Sequence, residues 1–97
     1  MNYTIILSEE AKHDETESYH YYELQRTGLG DEFLDELDNC YAALASIPEH
    51  FGFLDSRNLL RGMSVNRFPF KIIYEISAGS VFVFSVHHMS RKPYKNR

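Results

Sequence analysis

Hydrophobic and polar positions change period along the chain, and the changes mark its elements. Tyr3 to Leu7 is a short run rich in β-branched and aromatic residues, which predicts a strand. From Ser8 to Arg26 the apolar positions thin to Ala11, Tyr19, Tyr22 and Leu24, a narrow helical stripe. Ser8 stands where an N-cap is needed, and Glu9 and Glu10 follow at the positive end of the helix dipole. Thr27-Gly28-Leu29-Gly30 breaks this helix with two permissive glycines. A stronger stripe follows: Phe33, Leu34, Leu37, Tyr41, Leu44 and Ile47, with Asp35, Glu36, Asp38 and Asn39 on the other side. Pro48 ends it. Two helices joined by so short a turn run antiparallel, as a helical hairpin.

The second half changes to strand periodicity. Leu59–Val65, Phe68–Ser77 and Val81–His87 each predict a strand, and Ala78-Gly79 predicts a tight hairpin between the last two. With those two residues as the loop, Ser77 faces Ser80. Ile76 then meets Val81, Tyr74 meets Val83, Ile72 meets Ser85 and Phe70 meets His87 on one sheet face. The other face pairs Lys71 with Val86, Ile73 with Phe84, Glu75 with Phe82 and Pro69 with His88. Both faces are largely apolar, and one helical hairpin covers only one of them. The expectation is a free face bearing Ile73, Phe82, Phe84 and Val86, rimmed by Lys71, Glu75 and His88, as a partner-binding surface. A one-residue slip would exchange the faces. The basic tail, or the connection 49–58 with Phe51 and Phe53, is the alternative cover.

Composition narrows the class. The chain has 97 residues, 43% hydrophobic and 25% charged, as in one globular domain spanning 1–97. A bilayer span needs roughly 20 apolar residues, and no run approaches that length. The lone Cys40 excludes an internal disulfide and points to a reducing, cytoplasmic setting. The net charge of −4 hides an asymmetry: residues 1–56 carry two basic and 13 acidic side chains, residues 57–97 eight basic and one acidic. Such a split suits a surface for polyanions or an acidic partner, and equally two halves that attract each other. His87 and His88 are neighbours, so on a strand they point to opposite faces, and no Cys or carboxylate has ligand spacing with them. No metal or cofactor is expected. His87 is expected to be a core histidine facing Phe70.

The order of elements is strand, helix, helix, then three strands. Within it lie Ala11 and Tyr21-Tyr22-Glu23-Leu24-Gln25 in the first helix, and Gly28 to Leu37 opening the second. Ile47-Pro48, Arg61, the run Arg67-Phe68-Pro69-Phe70-Lys71-Ile72-Ile73-Tyr74-Glu75-Ile76, Val86-His87-His88 and Arg91-Lys92-Pro93 follow. Together these resemble the RelE/ParE superfamily of bacterial toxins from type II toxin–antitoxin systems of the plasmid-stabilisation type. The resemblance implies an α+β, RelE-like β-α-α-β-β-β fold, with an antiparallel sheet packed against a helical hairpin. It also implies a cytoplasmic toxin neutralised by a cognate antitoxin. RelE-like members are metal-independent, ribosome-dependent mRNA endoribonucleases. ParE-like members inhibit DNA gyrase.

For a nuclease, the resemblance places Lys71 at the scissile phosphate; His88 shares the Lys71 face in the register above and is the candidate base, and Arg91, Tyr94, Lys95 and Arg97 are candidates for further phosphate contact or acid. Arg61, Arg67, Lys95 and Arg97 are the further candidates for target contact, although Arg61 serves as well to brace the fold. The nuclease set has gaps. Gly62 and Ser64 stand where RelE-like nucleases tend to carry lysines, and Met89 where a catalytic arginine is expected. The reading therefore leans to a ParE-like gyrase inhibitor. The alternatives are the ribonuclease and a degenerate toxin that only binds antitoxin.

Overall fold

The computed structural model describes residues 2–90. Strand β1 (Thr4–Leu7) leads into α1 (Glu9–Gln25) and α2 (Leu29–Ser46). A 3-10 turn at Pro48–His50 precedes β2 (Arg61–Ser64), β3 (Phe70–Ser77) and β4 (Ser80–His88). Ser8 caps α1 as expected, its hydroxyl oxygen accepting the Ala11 N–H at 3.0 Å. The same hydroxyl donates to the Phe84 carbonyl at 2.9 Å, so one side chain ties the helix start to β4.

The turn between the helices depends on two glycines. Gly28 has φ 91°, a left-handed conformation that costs glycine nothing. No side chain at that position caps α2. Glu23 of α1 does so instead: its carboxylate accepts the Gly28 and Gly30 N–H groups at 2.9 and 3.0 Å, satisfying two donors at the positive helix end. Gly30 lies against α1 so closely that an added Cβ would stand 2.7 Å from the Tyr19 carbonyl oxygen. Glycine to alanine inside a helix ordinarily gains about 0.5–1 kcal/mol. Here the obstacle is backbone, and overpacking of that kind costs about 1–3 kcal/mol. Gly30→Ala therefore lowers the thermal midpoint. An equal or higher midpoint by circular dichroism would show that the helices have room to part.

The sheet order is β1-β4-β3-β2. The three C-terminal strands are antiparallel as expected, whereas β1 pairs with β4 in parallel, Ile5 beside Val81 and Leu7 beside Val83. Parallel neighbours need a long crossover, which the helical hairpin and the first two C-terminal strands supply. Ala78 and Gly79 both have positive φ, 50° and 78°, the signature of a type I′ hairpin. The expected pairs Ser77–Ser80, Ile76–Val81 and Tyr74–Val83 all form.

Beyond Tyr74 the register shifts by one. Ile73 meets Ser85, Ile72 meets Val86, Lys71 meets His87 and Phe70 meets His88, leaving Phe84 as an extra residue on β4. This is a β-bulge, and it turns every later side chain of β4 to the other face. The expectation for Val86 is corrected accordingly: it is 0% exposed and packs in the core under the helices. Asp14 of α1 holds the bulge. Its buried carboxylate accepts the Ser85 hydroxyl and the Val86 N–H, each at 3.0 Å, on the edge of β4 where β1 has already ended.

The core lies between helices and sheet. Phe33, Leu37 and Leu44 from the α2 stripe meet Ile72, Tyr74, Val81, Val83 and Val86. The rings of Tyr22, Phe33, Phe68 and Phe70 contact one another at the α1 side of this core. Tyr74 satisfies its buried hydroxyl by donating to the Pro48 carbonyl at 2.6 Å, which pins the 3-10 turn to β3. Cys40 is buried, as its helical position predicts, and burial raises its thiol pKa.

Candidate functional site

The sheet face away from the helices carries the chemistry. Across its middle run three paired positions: Ser64 on β2, Lys71 on β3 and His87 on β4. Gly62 is opposite Ile73, and a Cβ there would come within 2.8 Å of the Lys71 stem and 2.9 Å of Leu54. The bare glycine thus lets the lysine chain and Leu54 lie over β2. Leu54 belongs to the connection after the 3-10 turn, which pairs with β2 through the Phe53–Arg61 bridge and the Gly62 N–H to Gly52 carbonyl bond. Part of the free face is therefore covered by the chain itself, and Ile73 is only 2% exposed. Asp55 shapes this connection. Its carboxylate accepts the Leu59 and Leu60 N–H groups, and these bonds, the Leu59 bond first, hold its pKa low.

The candidate cations divide by whether another group of the chain already holds them. Arg61 donates to the Glu49 and Phe51 carbonyls at 3.1 and 2.8 Å and lies over the Phe53 ring at 3.9 Å. It braces the connection to β2. Arg67 pairs with Glu32 at 2.6 Å and with Glu36 at 3.7 Å, and Arg26 joins Glu32 at 3.2 Å. Lys12 pairs with Glu9. Lys71 is half-buried on the free face and has no ion-pair partner among the described residues. Arg91, Tyr94, Lys95 and Arg97 lie outside the described residues.

The Arg67–Glu32 pair gives a pH test. The hydrogen bond from Arg67, then that from Arg26, lowers the Glu32 pKa below its ordinary value. A carboxylate depressed on folding stabilises the native state above its unfolded pKa, about 4.3. That contribution disappears as pH falls through the folded pKa. The stability gap between wild type and Arg67→Ala should therefore shrink on acidification below about pH 4. Thermal midpoints across a pH series check this, and a gap independent of pH would remove the pair from the account.

The bulge also exchanges the two histidines. His88 lies on the helix side, edge-on to Phe70 with ring centroids 4.9 Å apart, and its Nδ1 accepts the Ser90 N–H at 3.1 Å. It cannot act as a base beside Lys71, which is on the opposite face. His87, expected against Phe70, takes that place. The sequence held a signal for this exchange. In Val81-Phe82-Val83-Phe84-Ser85-Val86 the alternation of core valines breaks at Ser85, as a bulge would require.

Among solved structures, a chain described as the chromosomal ParDE TA system from P. aeruginosa superposes with a TM-score of 0.79 at 11% sequence identity. The match covers 91% of this chain and 97% of that chain. The fold is that of a ParDE toxin–antitoxin chain. No family model and no curated protein matches the sequence, so the likeness is one of architecture.

On this ParDE-like fold the exposed apolar surface of the free face shifts toward β1. Phe82 is 36% exposed and pairs with Ile6, itself 40% exposed. Phe84 at the bulge is half-buried. Ile6 was not expected here because its strand had no assigned place in the sheet. The surface thus retains Phe82 and Phe84, buries Ile73, loses Val86 to the core and gains Ile6. Among the described residues no helix is long and apolar enough to cross a membrane, and no group of three His, Cys, Asp or Glu could hold a metal ion.

Proposed function

We propose that this chain is the toxin of a type II toxin–antitoxin module, acting in the cytoplasm as a ParE-like inhibitor of DNA gyrase and neutralised by a cognate antitoxin. The observation that carries the proposal is the ParDE-like fold over 91% of the chain. The antitoxin covers the free sheet face around Ile6, Phe82 and Phe84, where apolar side chains remain exposed or half-buried. The gaps at Gly62 and Ser64, and the position of His88 behind the sheet from Lys71, favour gyrase over mRNA as the target.

The ribonuclease is the second reading, and one observation favours it. Lys71 lacks an ion-pair partner among the described residues and stands across the ladder from His87, which supplies a cation and an imidazole on one face. Cleavage by a 2′-hydroxyl requires such groups.

Toxic expression followed by two assays separates the readings. The expected result is gyrase-linked DNA breaks with no cuts in cellular mRNA by primer extension. The reverse result would replace gyrase with mRNA. In that case Lys71→Ala and Arg91→Ala, each still folded, should lower cleavage on the order of 10²–10³-fold, the usual cost of removing a transition-state charge donor. Expression without growth arrest would leave antitoxin binding as the remaining activity.

A further inference from the structure

A groove of about 600 Å³ lies on the helix side of the sheet, between the C-terminal half of α1 and the ends of β3 and β4. The bulge helps to make it. By turning the end of β4 over, it brings His88 to this side, edge-on to Phe70 at 4.9 Å. On α1, Asp14, Ser18 and Tyr22 follow one another down the buried face. Asp14 reaches β4 and Tyr22 fills the aromatic core, but the short Ser18 between them leaves a gap. Ser18 is 7% exposed, lines the groove and has no side-chain hydrogen-bond partner among the described residues. A buried hydroxyl left without a partner costs free energy, and a polar ligand group would recover it.

The remaining walls decide which group fits. Glu17 stands at the rim, Tyr21 and His88 form the sides and Phe70 lies at the floor. No lysine or arginine lines the groove among the described residues, so an anion would meet only a carboxylate. A cation instead finds an acid, aromatic rings and a hydroxyl acceptor. Arginine suits these walls better than lysine, because its planar guanidinium stacks on rings, is weakly hydrated and carries five donors. The Tyr21 ring is 61% exposed and is held edge-on to Tyr22 at 5.3 Å. The surrounding charge agrees: α1 carries six acidic side chains and one lysine, α2 five acidic and no basic ones. Glu17 already pairs with His13 at 3.3 Å, but both side chains are more than half exposed, and such surface pairs are easily exchanged. Glu17, Tyr21 and Leu24 share one side of α1 by helical spacing. Leu24 is 89% exposed, so apolar surface continues out of the groove and suits a polypeptide rather than a free cation. We propose that the groove receives an arginine side chain of a partner protein. Its guanidinium lies on the Tyr21 ring and donates to the Glu17 carboxylate and the Ser18 hydroxyl, and the partner's neighbouring apolar residues lie along Tyr21 and Leu24. The site is distinct from the free sheet face and stands without the toxin reading.

Titration of the full chain with the peptide acetyl-Leu-Ala-Arg-Ala-Leu-amide, followed by the Tyr21 and His88 ring resonances, tests this. The expected result is a saturable shift of both rings, and unmoved resonances would overturn the proposal. The same peptide with citrulline for arginine keeps the shape and loses the charge, and it should bind about tenfold more weakly. Equal affinity for the two peptides would overturn the assignment of a cation. The double variant Glu17→Gln, Tyr21→Ala changes two side chains that are more than half exposed, and thermal melting checks its fold. Followed through His88, it should bind the arginine peptide about tenfold more weakly than the wild type, for loss of one ion pair and one cation–π contact. Unchanged affinity would place the peptide elsewhere and overturn the site. Arginine amide alone binding as tightly as the peptide would overturn the protein occupant in favour of a small cation. No antitoxin or gyrase enters these assays, so they fail or succeed independently of the proposed function.

Discussion

Phe82→Glu is expected to weaken antitoxin binding on the order of 10²–10³-fold while leaving the free chain folded. The two effects come from different environments of one side chain. In the free chain Phe82 is 36% exposed and stands opposite Glu75 on β3 and Ile6 on β1. A second carboxylate opposite Glu75 costs at most about 1 kcal/mol as a like-charge cross-strand pair. That corresponds to roughly 4–8 °C in the midpoint of a domain this size. Under a bound antitoxin the same carboxylate would be stripped of water without a cation designed to meet it, and an unpaired buried charge costs about 3–5 kcal/mol. Binding therefore suffers far more than folding. A titration against the antitoxin and a thermal melt supply the two numbers. Unchanged affinity would move the antitoxin off this face. A melt lowered by tens of degrees would place Phe82 in the domain's own core.

Asp14→Ala should destabilise the fold by about 2–4 kcal/mol, because it strands a buried hydroxyl and a buried N–H. Asp14 is 9% exposed, and both Ser85 and Val86 depend on its carboxylate where β1 no longer covers β4. Asp14→Asn retains one carbonyl oxygen and should cost less than the alanine variant. The consequence extends across the sheet. The bulge places His87 beside Lys71, so loosening it should also disturb that pair on the far face. Denaturant unfolding measures the first effect. The second appears as a change in the His87 ring resonances in variants that remain folded. Equal stability of wild type and Asp14→Ala would mean that water replaces the carboxylate at the bulge.

Much of the architecture was legible along the chain because it rests on local chemistry. Ser8 announces a helix start by its side chain, Pro48 a stop by its missing N–H, and Ala78-Gly79 a tight hairpin turn, which the structure shows to be type I′. The α2 stripe identifies Phe33, Leu37 and Leu44 as core because helical periodicity alone collects them on one side. The hairpin register follows from its turn for the first pairs, and the resemblance of the assembled order agrees with the fold found. The candidate site was less legible. Which cations remain available depends on acceptors that only folding brings near: Glu32 and Glu36 hold Arg67, and two backbone carbonyls hold Arg61.

Local signals in this sequence therefore determined the order of the main elements, the α1 cap, the tight hairpin turn and the inward face of α2. The α1 stripe, by contrast, misplaced Leu24, which is 89% exposed, and the α2 start is capped by Glu23 from the other helix. Tertiary structure alone decided where β1 sits, because a parallel neighbour is chosen by packing and not by any adjacent turn. It also decided the faces of Val86, His87 and His88. One extra residue at Phe84 is tolerated only because Asp14, 71 residues before Ser85, reaches β4 and satisfies the groups the bulge sets free. In a strand whose side chains alternate with period two, that single long-range contact reverses everything downstream of it.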